Sequence, residues 1–141
     1  MQVATFDTDT LRLMTLFENM THASPKDCMV DQENGCVYFV VKEGDAGAAI
    51  GKNGTNVKHV EAAIKKNVKI FEYSSDLETF VKNLIPQSSE VKVREENGEK
   101  TVEIRVERGS KAMIIGRDGR NIKLFKELLQ RNHNVNDLIV R

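Results

Sequence analysis

The amino-acid sequence predicts an α+β protein built from two tandem units, each with the element order α-β-β-α-α-β and a three-stranded sheet packed against helices. Two observations predict this fold class. A glycine-containing segment occurs twice at a constant offset, and the same succession of helix and strand signals flanks both copies. The 141 residues are enough for two small domains. We expect a first domain over residues 1–74 and a second over residues 75–141, joined with almost no linker.

The first unit is predicted to begin with an amphipathic helix. Asp7 or Thr8 is suited to cap this helix, which should run to about Met20. Pro25 is expected to stop it, because proline cannot continue a helix. The apolar positions expected on one side of the helix are Leu13, Leu16, Phe17 and Met20.

A β-hairpin is predicted next, from two alternating apolar runs around an Asn-Gly turn in residues 32–35. Cys28 and Cys36 flank this turn and could lie near each other across it, and we expect two buried, reduced thiols. A redox role is the alternative. Beyond the hairpin come the glycine segment, its helix and a strand around residues 68–73. The alternating apolar residues of the hairpin are Cys28, Val30, Val37, Phe39 and Val41.

The second unit repeats this order. Residues 75–78 (Ser-Asp-Leu-Glu) read as a capping box that opens a helix, and Pro86 should end that helix. A second hairpin turns at residues 96–98, and residues 138–140 supply the last strand. Its alternating apolar residues are Val91, Val93, Val102, Ile104 and Val106.

The repeat itself is sharpest over residues 44–58 and 109–123. Six of these fifteen positions are identical without a gap, and the apolar register continues into the following helices at Val60/Phe125 and Ile64/Leu129. That spacing places the apolar residues on one helix face, where a core role is the first interpretation. The identical pairs are Gly44/Gly109, Ile50/Ile115, Gly51/Gly116, Gly54/Gly119, Asn56/Asn121 and Lys58/Lys123.

Two glycines three residues apart, placed directly before a helix, are typical of a phosphate-binding loop. Glycine allows positive φ and close approach of another backbone. The free N–H groups of the following helix then point at the bound anion. Lys52 and Arg117, in the first position between the glycines, can pair with phosphate oxygens.

Bases would be held beside such a loop rather than by it. Ile50 and Val57, like Ile115 and Ile122, are expected to line an apolar groove. The asparagine two residues after each second glycine could hydrogen-bond to a base edge, which suits single-stranded nucleic acid. The predicted RNA-binding residues are Ile50, Gly51, Lys52, Asn53, Gly54, Asn56, Val57, Lys58, Ile115, Gly116, Arg117, Asp118, Gly119, Arg120, Asn121, Ile122 and Lys123.

Several of these residues also have a purely structural interpretation. Asn53 and Asp118 are preferred N-cap residues for the following helix, and Asp118 would repel a phosphate. Asn56 and Asn121 can instead satisfy the first turn of that helix. A single loop of this kind could merely cap one helix and start another; two copies with matched surroundings favour the functional interpretation.

Charge is balanced over the whole chain, with 21 basic and 21 acidic residues. Nucleic-acid binders are usually more basic, so the distribution matters. Residues 44–69 hold five basic residues against two acidic ones, and residues 108–131 hold seven against two. Two locally basic faces can attract RNA, with the second unit expected to be the stronger electrostatic partner.

Catalysis, metal binding and membrane insertion are not indicated. The three histidines lie far apart, no nucleotide-binding or nucleophile motif occurs, and no Cys/His spacing suits zinc. No apolar run approaches the length of a membrane span, and the first residues show no signal peptide. We therefore expect a cytoplasmic, monomeric protein without cofactor. A pair of degenerate units that binds only protein remains an alternative.

Residues 49–57 (Ala-Ile-Gly-Lys-Asn-Gly-Thr-Asn-Val) and 114–122 (Ile-Ile-Gly-Arg-Asp-Gly-Arg-Asn-Ile) resemble the I-G-x-x-G-x-x-I signature of the KH family. The element order resembles its type II version. Two such units joined without a spacer are similar to the NusA-like family, and most of all to its short archaeal members. The resemblance implies binding of single-stranded RNA near RNA polymerase or other transcription factors, in termination, antitermination or elongation. A ribosomal-RNA-binding or ribosome-assembly role is the alternative.

Overall fold

A computed structural model describes residues 7–141 of the chain. Among these, residues 7–74 and residues 75–141 form two compact units. Both follow the predicted α-β-β-α-α-β order. The elements of the first unit are α1 (Thr8–Thr21), β1 (Pro25–Asp31), β2 (Cys36–Val41), α2 (Ala46–Ile50), α3 (Thr55–Ile64) and β3 (Asn67–Glu72). Those of the second unit are α4 (Leu77–Leu84), β4 (Glu90–Glu96), β5 (Glu99–Arg105), α5 (Arg108–Ile115), α6 (Arg120–His133) and β6 (Asp137–Val140).

Each unit holds one three-stranded mixed sheet with the same topology. The middle strand, β2 or β5, is antiparallel to its hairpin partner and parallel to the last strand of the unit. The parallel pairing requires the chain to cross over, and the two helices around the glycine loop make that crossover. The fold therefore places each loop between two helices that are anchored on the same sheet.

The core of the first unit lies between α1, α2, α3 and the sheet. Phe17 of α1 is fully buried and stacks on Phe39 of β2, with ring centroids 4.1 Å apart. Val60 of α3 and Ala49 of α2 pack into the same cluster. These contacts hold both helices that flank the loop. Buried residues of the second unit include Phe80, Leu84, Val102, Ile104, Ile114, Leu128, Leu129 and Leu138.

The first helix begins as predicted but ends differently. The Asp7 carboxylate accepts a hydrogen bond from the Thr10 N–H at 2.7 Å, which is an N-cap. The helix stops at His22, whose left-handed backbone (φ 62°) donates to the Glu18 carbonyl. Pro25 instead opens β1, so its predicted role as the helix stop was wrong.

Three apolar assignments were also wrong. Leu16 is 36% exposed, Val30 of β1 is 38% exposed and Val93 of β4 is 44% exposed, although all three lie in the predicted apolar pattern. Met14, which was not predicted, packs on the first core in place of Leu16. All six residues of β2 are buried, because this strand has neighbours on both sides. The predicted alternation of buried and exposed residues therefore does not hold for β2.

The cysteines are buried and reduced, as predicted, but they do not meet across the hairpin. Cys28 pairs in register with Phe39, whereas Cys36 pairs with Asp31. The three-residue displacement puts them on opposite faces of the sheet, with Cys28 in the core. Burial raises the pKa of the Cys36 thiol.

Helix α4, the first of the second unit, is capped by Asp76 alone and not by the capping box predicted for residues 75–78. The Asp76 carboxylate accepts hydrogen bonds from both the backbone N–H and the hydroxyl of Thr79, at 3.1 and 2.6 Å. The interaction lowers the pKa of Asp76. The helix ends at Leu84, just before Pro86, as predicted.

Candidate nucleic-acid interface

Both loops adopt one backbone conformation. Gly51 has φ 76° and ψ 172°, and Gly116 has φ 77° and ψ 170°. A single 3₁₀ turn follows each, closed by the second glycine donating to the carbonyl of the first at 3.2 Å. Gly54 and Gly119 are left-handed, with φ of 75° and 72°. All four loop glycines thus have the positive φ that the sequence led us to expect glycine to allow there.

The first glycine of each loop also allows the following helix to approach it closely. A Cβ added to Gly51 would lie 2.8 Å from Asn56 Cγ and 2.9 Å from the Asn56 backbone nitrogen. A Cβ added to Gly116 would meet Asn121 at the same distances. The start of the following helix thus lies directly against the first glycine.

The asparagines do not satisfy the first turn of their own helix. Asn56 Nδ2 donates to the Ala48 carbonyl of α2 at 2.8 Å, and Asn121 Nδ2 donates to the Met113 carbonyl of α5 at 2.9 Å. Each bond joins the helix after the loop to the helix before it. The interpretation as a first-turn contact was wrong; contact with a base remains a prediction.

Asn53 and Asp118 are not helix caps, so that interpretation was wrong as well. Both have the left-handed conformation (φ 57°, ψ 27°) in the middle of the turn, and both are exposed. Asparagine and aspartate tolerate this conformation better than other non-glycine residues. The N-cap positions belong to Gly54 and Gly119.

The helices after the loops therefore begin without a side-chain cap. In contrast, α1 and α4 each have an aspartate in that place. The N–H of the first residue of each helix donates to the carbonyl of Lys52 or Arg117, but the positive end of the helix dipole at α3 and α6 still suits an anion bound at the loop. This geometry is available in both units.

The remaining predicted residues surround the loops. Lys52 and Arg117 are exposed at the first turn position. The Lys58 and Val57 side chains reach to 3.8 Å from the position of a Cβ on Gly54, and Ile122 lies similarly near Gly119. Ile50 is 43% exposed. The residues predicted to form an apolar groove that are half-buried are Val57, Ile115 and Ile122.

Salt bridges reduce the difference in basic charge between the two units that the sequence suggested. Within the described residues the five lysines of residues 44–69 form no salt bridge. In the second unit, Lys126 pairs with Asp137 at 3.2 Å and Arg131 with Glu127 at 3.8 Å. These pairs neutralise two of the seven basic residues that led us to expect stronger electrostatic attraction of RNA by the second unit.

Sequence reasoning missed two features of the site. Met113 is 58% exposed on α5, where the repeat places Ala48 in the first unit. The Thr55 hydroxyl donates to the Lys52 carbonyl at 2.5 Å, and the second unit has Arg120 there. Comparing the repeats position by position would have marked both. No cluster of metal ligands occurs in residues 7–141, and no helix in that range is long and apolar enough to cross a membrane.

Both units match known protein families. Residues 13–94 match the KH domain family, and residues 77–140 match the NusA-like second KH domain. The probable transcription termination protein NusA of Methanococcus vannielii is 37% identical, over 95% of this chain and 78% of that protein. The Halococcus morrhuae protein of the same name is 36% identical over 98% of both. The crystal structure of APE1850 superposes with a TM-score of 0.78 and 38% identity, over 96% of this chain and all of the other.

Proposed function

The chain belongs to the KH-domain family, among its NusA-like members, and from that premise we propose that it is a single-stranded RNA-binding factor of transcription termination or antitermination. The observation that carries this proposal is the glycine loop built twice in one conformation. The names of the relatives favour transcription over the ribosomal alternative.

Each loop would hold one stretch of RNA backbone. The start of α3 or α6 would present the positive end of a helix dipole to a phosphate, and Lys52 or Arg117 adds a positive charge. Arginine can form two parallel bonds to a phosphate, whereas lysine acts as a point charge. The apolar side chains beside the loop would pack against bases. A KH unit handles about four nucleotides, so the chain has two such sites.

The proposed role also includes a protein partner and a cellular location. We infer a role in binding rather than in catalysis, with RNA polymerase or another transcription factor as protein partner and the cytoplasm as location. The domain limits of 1–74 and 75–141 also remain our proposal, supported by the two compact units of described residues. The first family match runs past this seam to residue 94, into β4.

Acidic substitutions in the turns test the RNA clamp. Lys52→Asp with Asn53→Asp alters the first loop, and Arg117→Asp alters the second. Aspartate already occupies the left-handed turn position at Asp118, so the fold should tolerate it at position 53. We expect each set to weaken binding of a labelled single-stranded RNA pool by at least tenfold, and both sets together to abolish it, with unchanged circular dichroism.

Lys92→Asp on exposed β4 changes the charge by two units, as Arg117→Asp does, so it is the matched control for that variant and should change affinity little. Salt titration gives a second readout, because each lost phosphate contact lowers the slope of log K against log salt by about 0.7 for single strands. Unchanged affinity and slope in the combined variant would show that the loops do not hold RNA.

A further inference from the structure

A side chain replaces a backbone donor at the end of the helix that precedes each loop. If α2 continued, the Ala48 carbonyl would accept the Lys52 N–H, four residues later. The chain turns away at Gly51 instead, and Asn56 Nδ2 takes that carbonyl at 2.8 Å. In the second unit the Met113 carbonyl, left in the same way at the end of α5, is taken by Asn121 at 2.9 Å.

This replacement leaves loop N–H groups available. Among the described residues, the backbone N–H groups of Lys52 and Asn53 donate to no acceptor, and those of Arg117 and Asp118 likewise donate to none. A helix carbonyl without a partner would otherwise compete for the N–H of the first turn residue. The asparagine thus accounts for the carbonyl at the helix end, and the N–H groups of the turn stay unpaired.

We propose that Asn56 and Asn121 are positioning residues that hold the loops in the phosphate-binding conformation before RNA arrives, and that they do not read a base. The inference rests on the proposed RNA-binding function. It explains why the first glycine must lack a side chain, since the asparagine occupies the space of its Cβ. A loop ordered in advance loses less entropy on binding, which raises affinity for every RNA sequence alike.

Asn56→Ala and Asn121→Ala, singly and together, test this in the full chain. Asn132→Ala is the matched control, because its amide also donates to a helix carbonyl, that of Leu128 at 2.9 Å, near the far end of α6. Two quantities are measured: affinity for a labelled single-stranded RNA pool, and hydrogen exchange without RNA at the turn amides that are hydrogen-bonded within each loop. These amides are those of Gly54, Thr55, Gly119 and Arg120. All substitutions are neutral, so electrostatic attraction is unchanged.

We expect exchange at the turn amides of the altered loop to rise about five- to tenfold and affinity to fall by a similar factor, the equivalent of one net hydrogen bond. The loss should be the same for RNAs differing in any one base. The control should change neither quantity. If both asparagines can be removed without faster exchange in the turns, or if affinity falls only for RNAs with one particular base, the proposal is overturned.

A measurement on the unaltered protein covers the case in which a variant fails to fold. The Nδ2 protons of Asn56 and Asn121 should be protected from exchange in the free protein and remain so when RNA is added. Loss of that protection on binding would mean that the amide turns to the RNA, which contradicts a positioning role. If the unaltered chain binds no RNA, the proposed function fails, and the exchange measurement still decides whether the asparagines hold the turns.

Discussion

Alanine substitution at Gly51 and, separately, at Gly54 tests whether the two glycines of a loop serve different physical purposes. Gly51 lies at φ 76° and ψ 172°, a region that is essentially restricted to glycine, and strain there is of order 1–3 kcal/mol. Its new Cβ would also lie 2.8 Å from Asn56 Cγ and 2.9 Å from a backbone nitrogen. Relief would require α3 to shift, and overpacking of this kind adds roughly 1–3 kcal/mol.

Gly54 presents a milder case. Its left-handed conformation (φ 75°, ψ 17°) strains an alanine by roughly 1 kcal/mol. The nearest atoms to its added Cβ are 3.8 Å away, at ordinary contact distance. We therefore expect a loss of about 2–6 kcal/mol in unfolding free energy for Gly51→Ala and about 1 kcal/mol for Gly54→Ala.

Native-state hydrogen exchange of the buried β2 amides measures the unfolding free energy of the first unit directly. Gly116→Ala and Gly119→Ala, read from β5 amides, repeat the experiment in the second unit with nearly identical geometry. A difference below about 1 kcal/mol between first and second glycine in both units would refute the reasoning, because strain and close approach would then not set the requirement for glycine.

Two further predictions concern stability. The Arg141 hydrogen bond, with Arg94 nearby, lowers the pKa of Glu103, so its stabilising effect is present above the ordinary glutamate pKa and is lost as pH falls through the lowered value. The urea midpoint of Glu103→Gln should thus lie below that of the unaltered chain at neutral pH and converge with it in acid; a pH-independent gap would contradict this. Phe17→Ala should destabilise the first unit by about 3–5 kcal/mol, since a fully buried ring stacked on Phe39 is removed. A loss below about 1 kcal/mol by β2 hydrogen exchange would show that this stack does not support the core.

Much of the architecture could be predicted because local rules and the repeat agree. Residues that alternate between apolar and polar around Asn-Gly predicted both hairpins, and the constant offset predicted that the second unit copies the first. The family also followed from the two glycine loops. Glycine at four positions of positive φ is a local requirement of the backbone, so the sequence alone reveals it.

Other features depend on which segments meet in three dimensions. The Leu16 and Val93 side chains have the right period for a core, but their exposure depends on how far a neighbouring element extends over them. The pairing of Lys126 with Asp137 withdraws a charge that a count over residues 108–131 treats as free. Composition within a segment cannot detect a partner outside it.

The sequence by itself determined the fold class, the duplication and the presence of two glycine loops with positive φ. Only the tertiary structure decided what the asparagines do. Eight residues separate Asn56 from Ala48, and nothing in that spacing indicates that a carbonyl left at the end of α2 faces an amide on α3. The contact exists because both helices are packed on one sheet, which brings a backbone acceptor and a side-chain donor to hydrogen-bond distance across the loop.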